Sequence, residues 1–294
     1  MSKTSVASNA VGFIGLGVMG SAMSTHLMGA GFAVTGYDID PDRLAEHRAR
    51  GGLVADDPAG AAAGASVVVT SLPSVAALHA VVDGLAGAAP TVTVVETSTL
   101  PLEEKTRARD RLAAHGVTML DCPLSGTGAQ AARKDLVAYL SGGDAAKRRA
   151  APVLEACTRR TYDLGPFGNG MKMKMVANLL VIVHNVAAAE ALYFAERAGL
   201  DLSDVLEAVG DGAGTSRMFE LRGPLMAAGD YDAPGATATV LAKDGGIIVD
   251  FAAEHDIPVP LLTASAGFYR AAIDQGRGAQ EAACVHAILK GSDR

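Results

Sequence analysis

The chain has no tryptophan, only 4% aromatic residues and three cysteines in 294 residues. Cys122, Cys157 and Cys284 are too few and too scattered for a disulfide framework, and they fit a reducing, cytoplasmic setting. The seven histidines show neither HxH nor HExxH spacing and no cysteine pair forms a zinc knuckle, so no metal site is expected. Basic residues are outnumbered, 25 against 32, for a net charge of −7, and no basic cluster offers a nucleic-acid footprint. The longest apolar run, residues 177–195, contains His184, Asn185 and Glu190 and reads as too polar and too short for a membrane span. The first ten residues are polar and lack the apolar core of a signal peptide, so they read as a disordered leader.

What is present is a globular composition, 49% hydrophobic with 34 glycines, in a chain long enough for two domains. Through the first half, β-type runs (AVGFIG, FAVTGYD, ASVVVTSL, TVTVVE, VTMLDC) alternate with Ala-rich helical stretches, and DLVAYLSGG, AAPVLEACT and RRTYDLG continue the pattern to about residue 165. Such alternation with short joins implies βαβ units and a parallel sheet covered on both faces. After Gly165 the strands stop, and helical patterns follow at 170–198, 201–210, 215–228, 238–255, 261–275 and 279–289. The expected division is a dinucleotide-binding domain over 1–164 and an all-helical domain over 165–294.

The first strand runs into Gly15-Leu16-Gly17-Val18-Met19-Gly20 and an Ala/Met-rich helix, and the second strand ends in Asp38 about 20 residues on. A lone GxGxxG is weak evidence, but this context is that of a Rossmann-type, doubly wound sheet. Gly15 permits the tight turn, Gly17 lets backbone approach a pyrophosphate, and Gly20 lets helix and strand pack closely. Asp38 is placed to accept the adenosine ribose hydroxyls and to repel a 2′-phosphate, which favours NAD, while Arg43 one turn further leaves NADP open. Leu72, Pro73 and Thr99 leave later strands at their carboxyl ends, the edge along which a dinucleotide lies; Pro73 and Pro101 also serve as plain strand breakers.

The stretch GPFGNGMKMKMVANLL (165–180) carries two lysines in oily surroundings. On one helix they point about 160° apart. Lys172 shares its stripe with Val176, Leu179 and Val183 and is suited to reaching for water, whereas Lys174 shares a polar seam with Asn178 and Asn185. A positioned proton donor would stand in such a seam, although most lysines are surface charges.

The fingerprint, DCPLSG (121–126), GPFGNGMKMKMVAN (165–178) and LAKDGG (241–246) occur in this order, and the chain resembles the β-hydroxyacid dehydrogenase family over nearly its whole length. That resemblance implies roles. Lys174 becomes the proton donor/acceptor and Asn178 the residue orienting the substrate hydroxyl. Ser125, Gly126 and Thr127 clamp the substrate carboxylate. Lys243 closes over cofactor or substrate, and Asp244 belongs with the cofactor residues. The family's pattern is departed from at Ala177, Thr127, Arg133-Lys134-Asp135 and Glu281, and the resemblance implies that loop 125–134 shapes the substrate pocket. The implied reaction moves a hydride between nicotinamide and the β-carbon of a short hydroxy acid or its semialdehyde. Its oxidative direction requires a neutral amine. An apolar helix beyond Lys174 implies burial in a homodimer or homotetramer, as does the resemblance. An imine reductase-like NADPH enzyme and a non-catalytic dinucleotide-binding protein are the alternatives. A small-molecule hydroxy acid is the expected partner, with no nucleic acid and no membrane.

Overall fold

The strand-like runs of the first half are apolar without alternation, and such strands need cover on both faces. The computed structural model describes residues 9–86 and 92–291. Met1–Ser8 of the expected leader, and Thr91 at the head of one expected strand, lie outside the described residues. The chain divides into two compact units that meet between Lys174 and Met175.

In the first unit β1 (Ala10–Ile14), β2 (Ala33–Tyr37), β3 (Leu53–Val54), β4 (Val67–Thr70), β5 (Thr93–Glu96) and β6 (Thr118–Asp121) form one sheet in the order 3-2-1-4-5-6. Every pairing in it is parallel. The crossovers are α1 (Val18–Gly29), α2 (Pro41–Ala49), α3 (Pro58–Ala62), α4 (Val75–Leu85) and α5 (Leu102–Ala114). Their starts are written in the sequence: Asp40 and Asp57 each precede a proline at the first helical position, and these two and Ser74 accept an amide of the first turn. All of β4 and β5 is buried. Val67 and Val69 join one core cluster with Phe13, Met23 and Leu27, while Val68 joins the other with Ile14, Leu78 and Leu85. This is the period-two alternation of a sheet packed on both faces.

Beyond β6 the pattern does not simply extend the sheet. Pro123 has no amide to donate, and the run breaks there. β7 (Leu124–Ser125), β8 (Val137–Leu140) and β9 (Arg160–Asp163) make a second, three-stranded sheet. β7 is antiparallel to β8, and β8 is parallel to β9 across α7 (Asp144–Cys157). An isolated antiparallel bridge from Asp121 to Ser141 ties the end of β6 to the residue that follows β8.

α8 (Asn169–Arg197) starts within the first unit and continues into the second. The unit boundary falls later than residue 165 because the first turn of α8 is bonded to the sheet ends, Gly170 N–H to Ser141 Oγ (3.0 Å) and Met171 N–H to Asp121 Oδ2 (2.8 Å). The second unit continues with α9 (Leu202–Asp211), α10 (Arg217–Ala228), α11 (Ala238–Glu254), α12 (Pro260–Asp274), a 3-10 turn (Ala282–Cys284) and α13 (Val285–Gly291). Its interior is pinned by polar anchors. Asn185 donates to Tyr269 Oη (2.8 Å) and to the carbonyl of Ala282 (2.9 Å), and buried Arg222 pairs with buried Glu281 at 2.8 Å.

One expectation needs correction. α8 is 29 residues long and, by length and composition alone, apolar enough to cross a membrane, so it is not too short. Two of its polar groups are nonetheless bonded into protein, Asn178 to Asp244 and Asn185 to Tyr269 and Ala282, as the core helix of a folded domain requires.

Candidate active site

Parallel strands end on a common edge, and the register lines up Tyr37, Ile14, Thr70, Glu96 and Asp121 across it. The order of strands reverses between β1 and β4, the switch point at which open α/β sheets bind ligands. Gly15 leaves β1 there at φ +91°, and a Cβ on it would stand 2.2 Å from the carbonyl oxygen of Ser71. A Cβ on Gly20 would stand 1.9 Å from the oxygen of Gly15 and 2.9 Å from the Phe13 ring, so α1 packs on β1 only through a glycine. A Cβ on Gly17 meets nothing within 4 Å. Gly17 is the N-cap of α1 and has no side chain to cap it, so the open space lies at the positive end of a helix. Two glycines filled by protein and one facing empty space is the arrangement a pyrophosphate needs.

The neighbouring predicted cofactor residues divide. Asp38 lies just past β2 and accepts the Leu16 amide (2.6 Å) and the Asp40 amide (2.9 Å), which orients its carboxylate at the rim of the glycine turn. Leu16 itself is a core residue with no exposure, so its side chain is structural and its amide is already given to Asp38. Val18 is exposed, and Met19 packs against the core cluster. Leu72 donates its amide to Ser98 Oγ (2.8 Å), Pro73 is exposed and Thr99 is half-buried. Arg43 forms a loose, exposed pair with Glu46.

On α8 the two lysines separate as their stripes require: Lys172 is exposed and Lys174 is buried. Asn178, one turn on, is buried and donates to Asp244 Oδ2 on α11 (2.7 Å). The ammonium of Lys243 lies 3.1 Å from Asp244 Oδ1 and is itself partly exposed. Asp244 is thus the group that fixes Asn178. Asn185, placed by spacing in the same seam, belongs to the core anchor instead.

Ser125 closes β7 opposite Val137, and Gly126 follows at φ +140° with Leu136 against it. Thr127 is otherwise engaged. It caps α6 (Gly128–Ala132) in a capping box with Gln130: the Thr127 amide donates to Gln130 Oε1 (3.0 Å) and its hydroxyl accepts the Gln130 amide (3.3 Å).

Sequence reasoning missed a buried ionic cluster. Lys105 Nζ lies 2.7 Å from Glu96 Oε2 and 2.6 Å from Asp121 Oδ1, and none of the three side chains is exposed. Burial alone would lower the lysine pKa; the two carboxylates outweigh it and hold the ammonium above its ordinary value. Cys122 next door is buried, and desolvation together with the Asp121 charge pushes its thiol well up, which rules out a ready nucleophile. A signal was present: Lys105 shares the buried stripe of α5 with Ala108 and Leu112, where a lysine needs a partner.

A parallel sheet in this order with a glycine cradle at its switch point, followed by a second, helical unit, is the architecture of a dinucleotide-dependent oxidoreductase. Residues 10–165 match the family model described as the NAD binding domain of 6-phosphogluconate dehydrogenase. Residues 168–288 match that described as the NAD-binding domain of NADP-dependent 3-hydroxyisobutyrate dehydrogenase. An L-threonate dehydrogenase of Cupriavidus necator is 34% identical over 96% of each chain. A probable 3-hydroxyisobutyrate dehydrogenase of Mycobacterium bovis is 31% identical over 88% of this chain and 90% of its own. The crystal structure of 3-hydroxyisobutyrate dehydrogenase from Salmonella typhimurium superposes with a TM-score of 0.84 at 31% identity, covering 95% of this chain and 99% of that one. The chain belongs to the β-hydroxyacid dehydrogenase family and is an NAD(P)-dependent hydroxyacid dehydrogenase.

Proposed function

We propose that the chain interconverts a short β-hydroxy acid and its carbonyl counterpart, with Lys174 as general acid/base, Asn178 orienting the substrate hydroxyl, and no metal required. When bound, the nicotinamide supplies the hydride acceptor or donor. Gly17 and the first amides of α1 would hold its pyrophosphate, Gly15 and Gly20 shaping the turn that lets it approach, and Asp38 would hold its adenosine ribose. A carboxylate at that place favours NAD over NADP. The observation that carries the reading is the contrast on one helix turn: Lys174 is withdrawn from solvent beside an asparagine that Asp244 immobilises, while Lys172 is left in water. A buried ammonium has an energetic cost that a surface lysine avoids, so its retention calls for a task.

The ammonium of Lys174 gives a proton to the developing alkoxide in reduction and is left as the neutral amine, and in oxidation that neutral amine takes the hydroxyl proton. The Asn178 carboxamide gives its nitrogen to Asp244, and its oxygen would accept from the same hydroxyl. With Thr127 committed to its capping box, Ser125 and Gly126 carry the carboxylate clamp. Residues 165–294 supply the substrate-binding and self-association half in this reading. Val176, Leu180 and Phe194 of α8 are exposed apolar side chains that a second copy of the chain would cover, and size-exclusion with light scattering tests it. The reaction itself is tested by a panel read as NADH absorbance: 3-hydroxyisobutyrate, glycerate, threonate, serine and short branched or sulfonated analogues, each with NAD and NADP and with EDTA added. Turnover of at least one hydroxy acid, better with NAD and unaffected by EDTA, is expected; tight NAD binding with no turnover across the panel defeats the reading.

A further inference from the structure

The ionic cluster beneath α8 holds two carboxylates to one ammonium, so an excess negative charge is enclosed with no solvent to stabilise it. The sheet provides part of the answer. Lys105 Nζ also donates to the carbonyl of Ser98 (3.0 Å), and Glu96 Oε1 accepts the Ser98 amide (2.9 Å). The rest comes from the helix. Asp121 Oδ1 takes the lysine, and Asp121 Oδ2 takes the Met171 amide (2.8 Å) and the Ser141 hydroxyl (3.1 Å). Ser141 Oγ in turn accepts the Gly170 amide (3.0 Å). These amides belong to the first turn of α8, where no intrahelical acceptor exists and the helix end is positive. The fit is close. A Cβ on Gly170 would stand 2.3 Å from the carbonyl oxygen of Tyr139 and 2.9 Å from that of Asp121.

Lys174 stands on the next turn, and a helical side chain leans back toward the N-terminus, over the turn that precedes it. We propose that Asp121 is the positioning residue for Lys174: clamped by Lys105 and seconded by Ser141, its carboxylate seats the first turn of α8 and so fixes where the lysine nitrogen can reach. The proposal rests on the reading of Lys174 as the proton donor. It assigns the cluster a task that a salt bridge placed for stability alone does not have, since among the described residues the bonds of Asp121 Oδ2 run to the turn preceding Lys174 and to the hydroxyl that holds it.

The test compares Ser141→Ala, Asp121→Asn and Asp121→Ala with Lys174→Ala, all in the full-length chain. A misplacement of about 1 Å at a reacting group costs up to about 100-fold in rate. Ser141→Ala is therefore expected to lower kcat by about 10- to 100-fold while KM for the hydroxy acid and the NAD dissociation constant stay within about twofold. Asp121→Asn, which keeps an oxygen for the Met171 amide, should retain more kcat than Asp121→Ala. A folded Ser141→Ala enzyme with wild-type kcat, when Lys174→Ala is inactive, overturns the positioning role alone. Wild-type turnover in Lys174→Ala overturns the lysine reading and the positioning role with it. Hydrogen exchange on the wild-type holoenzyme decides the matter should the variants not fold: protection of the Met171 and Gly170 amides equal to that of the β6 amides is expected, and exchange at the rate of an exposed helix end overturns the proposal.

Discussion

Gly17→Ala separates a glycine kept for the ligand from one kept for the fold. Gly17 has an ordinary negative φ and an added methyl meets nothing within 4 Å, so alanine should cost the fold no more than about 1 kcal/mol, the difference between the two residues at a helix N-cap. The methyl would instead occupy the space through which a pyrophosphate approaches the α1 amides. If that costs about 1.4 kcal/mol, NAD binds tenfold more weakly. The magnitude can be read from thermal shifts. At an NAD concentration of about 100 times the wild-type dissociation constant, binding stabilises by about 2.7 kcal/mol; a tenfold weaker variant at the same concentration gains only about 1.4. With roughly 2–4 °C per kcal/mol for a domain of this size, the wild-type protein should melt about 5–11 °C higher with NAD and the variant about 3–6 °C higher. Differential scanning fluorimetry with and without NAD measures both. Gly20→Ala serves as the contrast, because its methyl would overlap the oxygen of Gly15, and it should lose melting temperature before any ligand is added. A Gly17→Ala protein with the full wild-type NAD shift would refute the assignment of that space to the cofactor.

Other consequences follow from the interior. Arg222→Met leaves the Glu281 carboxylate buried without its cation and should destabilise the second unit by about 3–5 kcal/mol, seen as a lower denaturation midpoint. Burial pushes the Cys157 thiol up to about 12 and the Cys284 thiol to about 11, so the native protein at about pH 8 should react with Ellman's reagent slowly and the denatured chain at once. Desolvation lowers the pKa of His47 and of His286 in the folded state. The unfolded chain therefore binds more protons once pH drops through about 6.5, and their contribution to stability, complete above that value, is lost toward the lower folded pKa values. The melting temperature should accordingly fall between about pH 7 and pH 5, less steeply in His286→Gln.

The fold was legible where one local rule acted alone. The apolar runs gave the main strands, the glycine fingerprint gave the turn into α1, and helical periodicity located α8 through α12 to within one or two residues. β3 and α3 were not seen, because two and five residues are too short to carry a period. The three-stranded sheet was missed since β7 depends on a break at Pro123 and on a distant partner strand, Ala138 against Leu124 and Val137 against Ser125, which no local pattern specifies. The candidate site divides the same way. Helical stripes alone distinguished Lys174 from Lys172, but they also put Asn185 in the seam, and only the contact with Tyr269 and Ala282 removes it. The Glu96–Lys105–Asp121 cluster joins the ends of two strands to a helix that reads as a charged surface; the stripe shared with Ala108 and Leu112 marks the charge that turns inward, but no local pattern names its partners.

The account turns on the amine of Lys174. The most direct measurement is steady-state turnover of Lys174→Ala against wild type on whichever hydroxy acid the panel selects, with NAD affinity measured on the same samples and a primary alkylamine added to the variant. Unchanged NAD binding, turnover lower by about 100-fold or more, and partial recovery with the amine are expected from the scale of general acid–base catalysis. Turnover within a few-fold of wild type would contradict it.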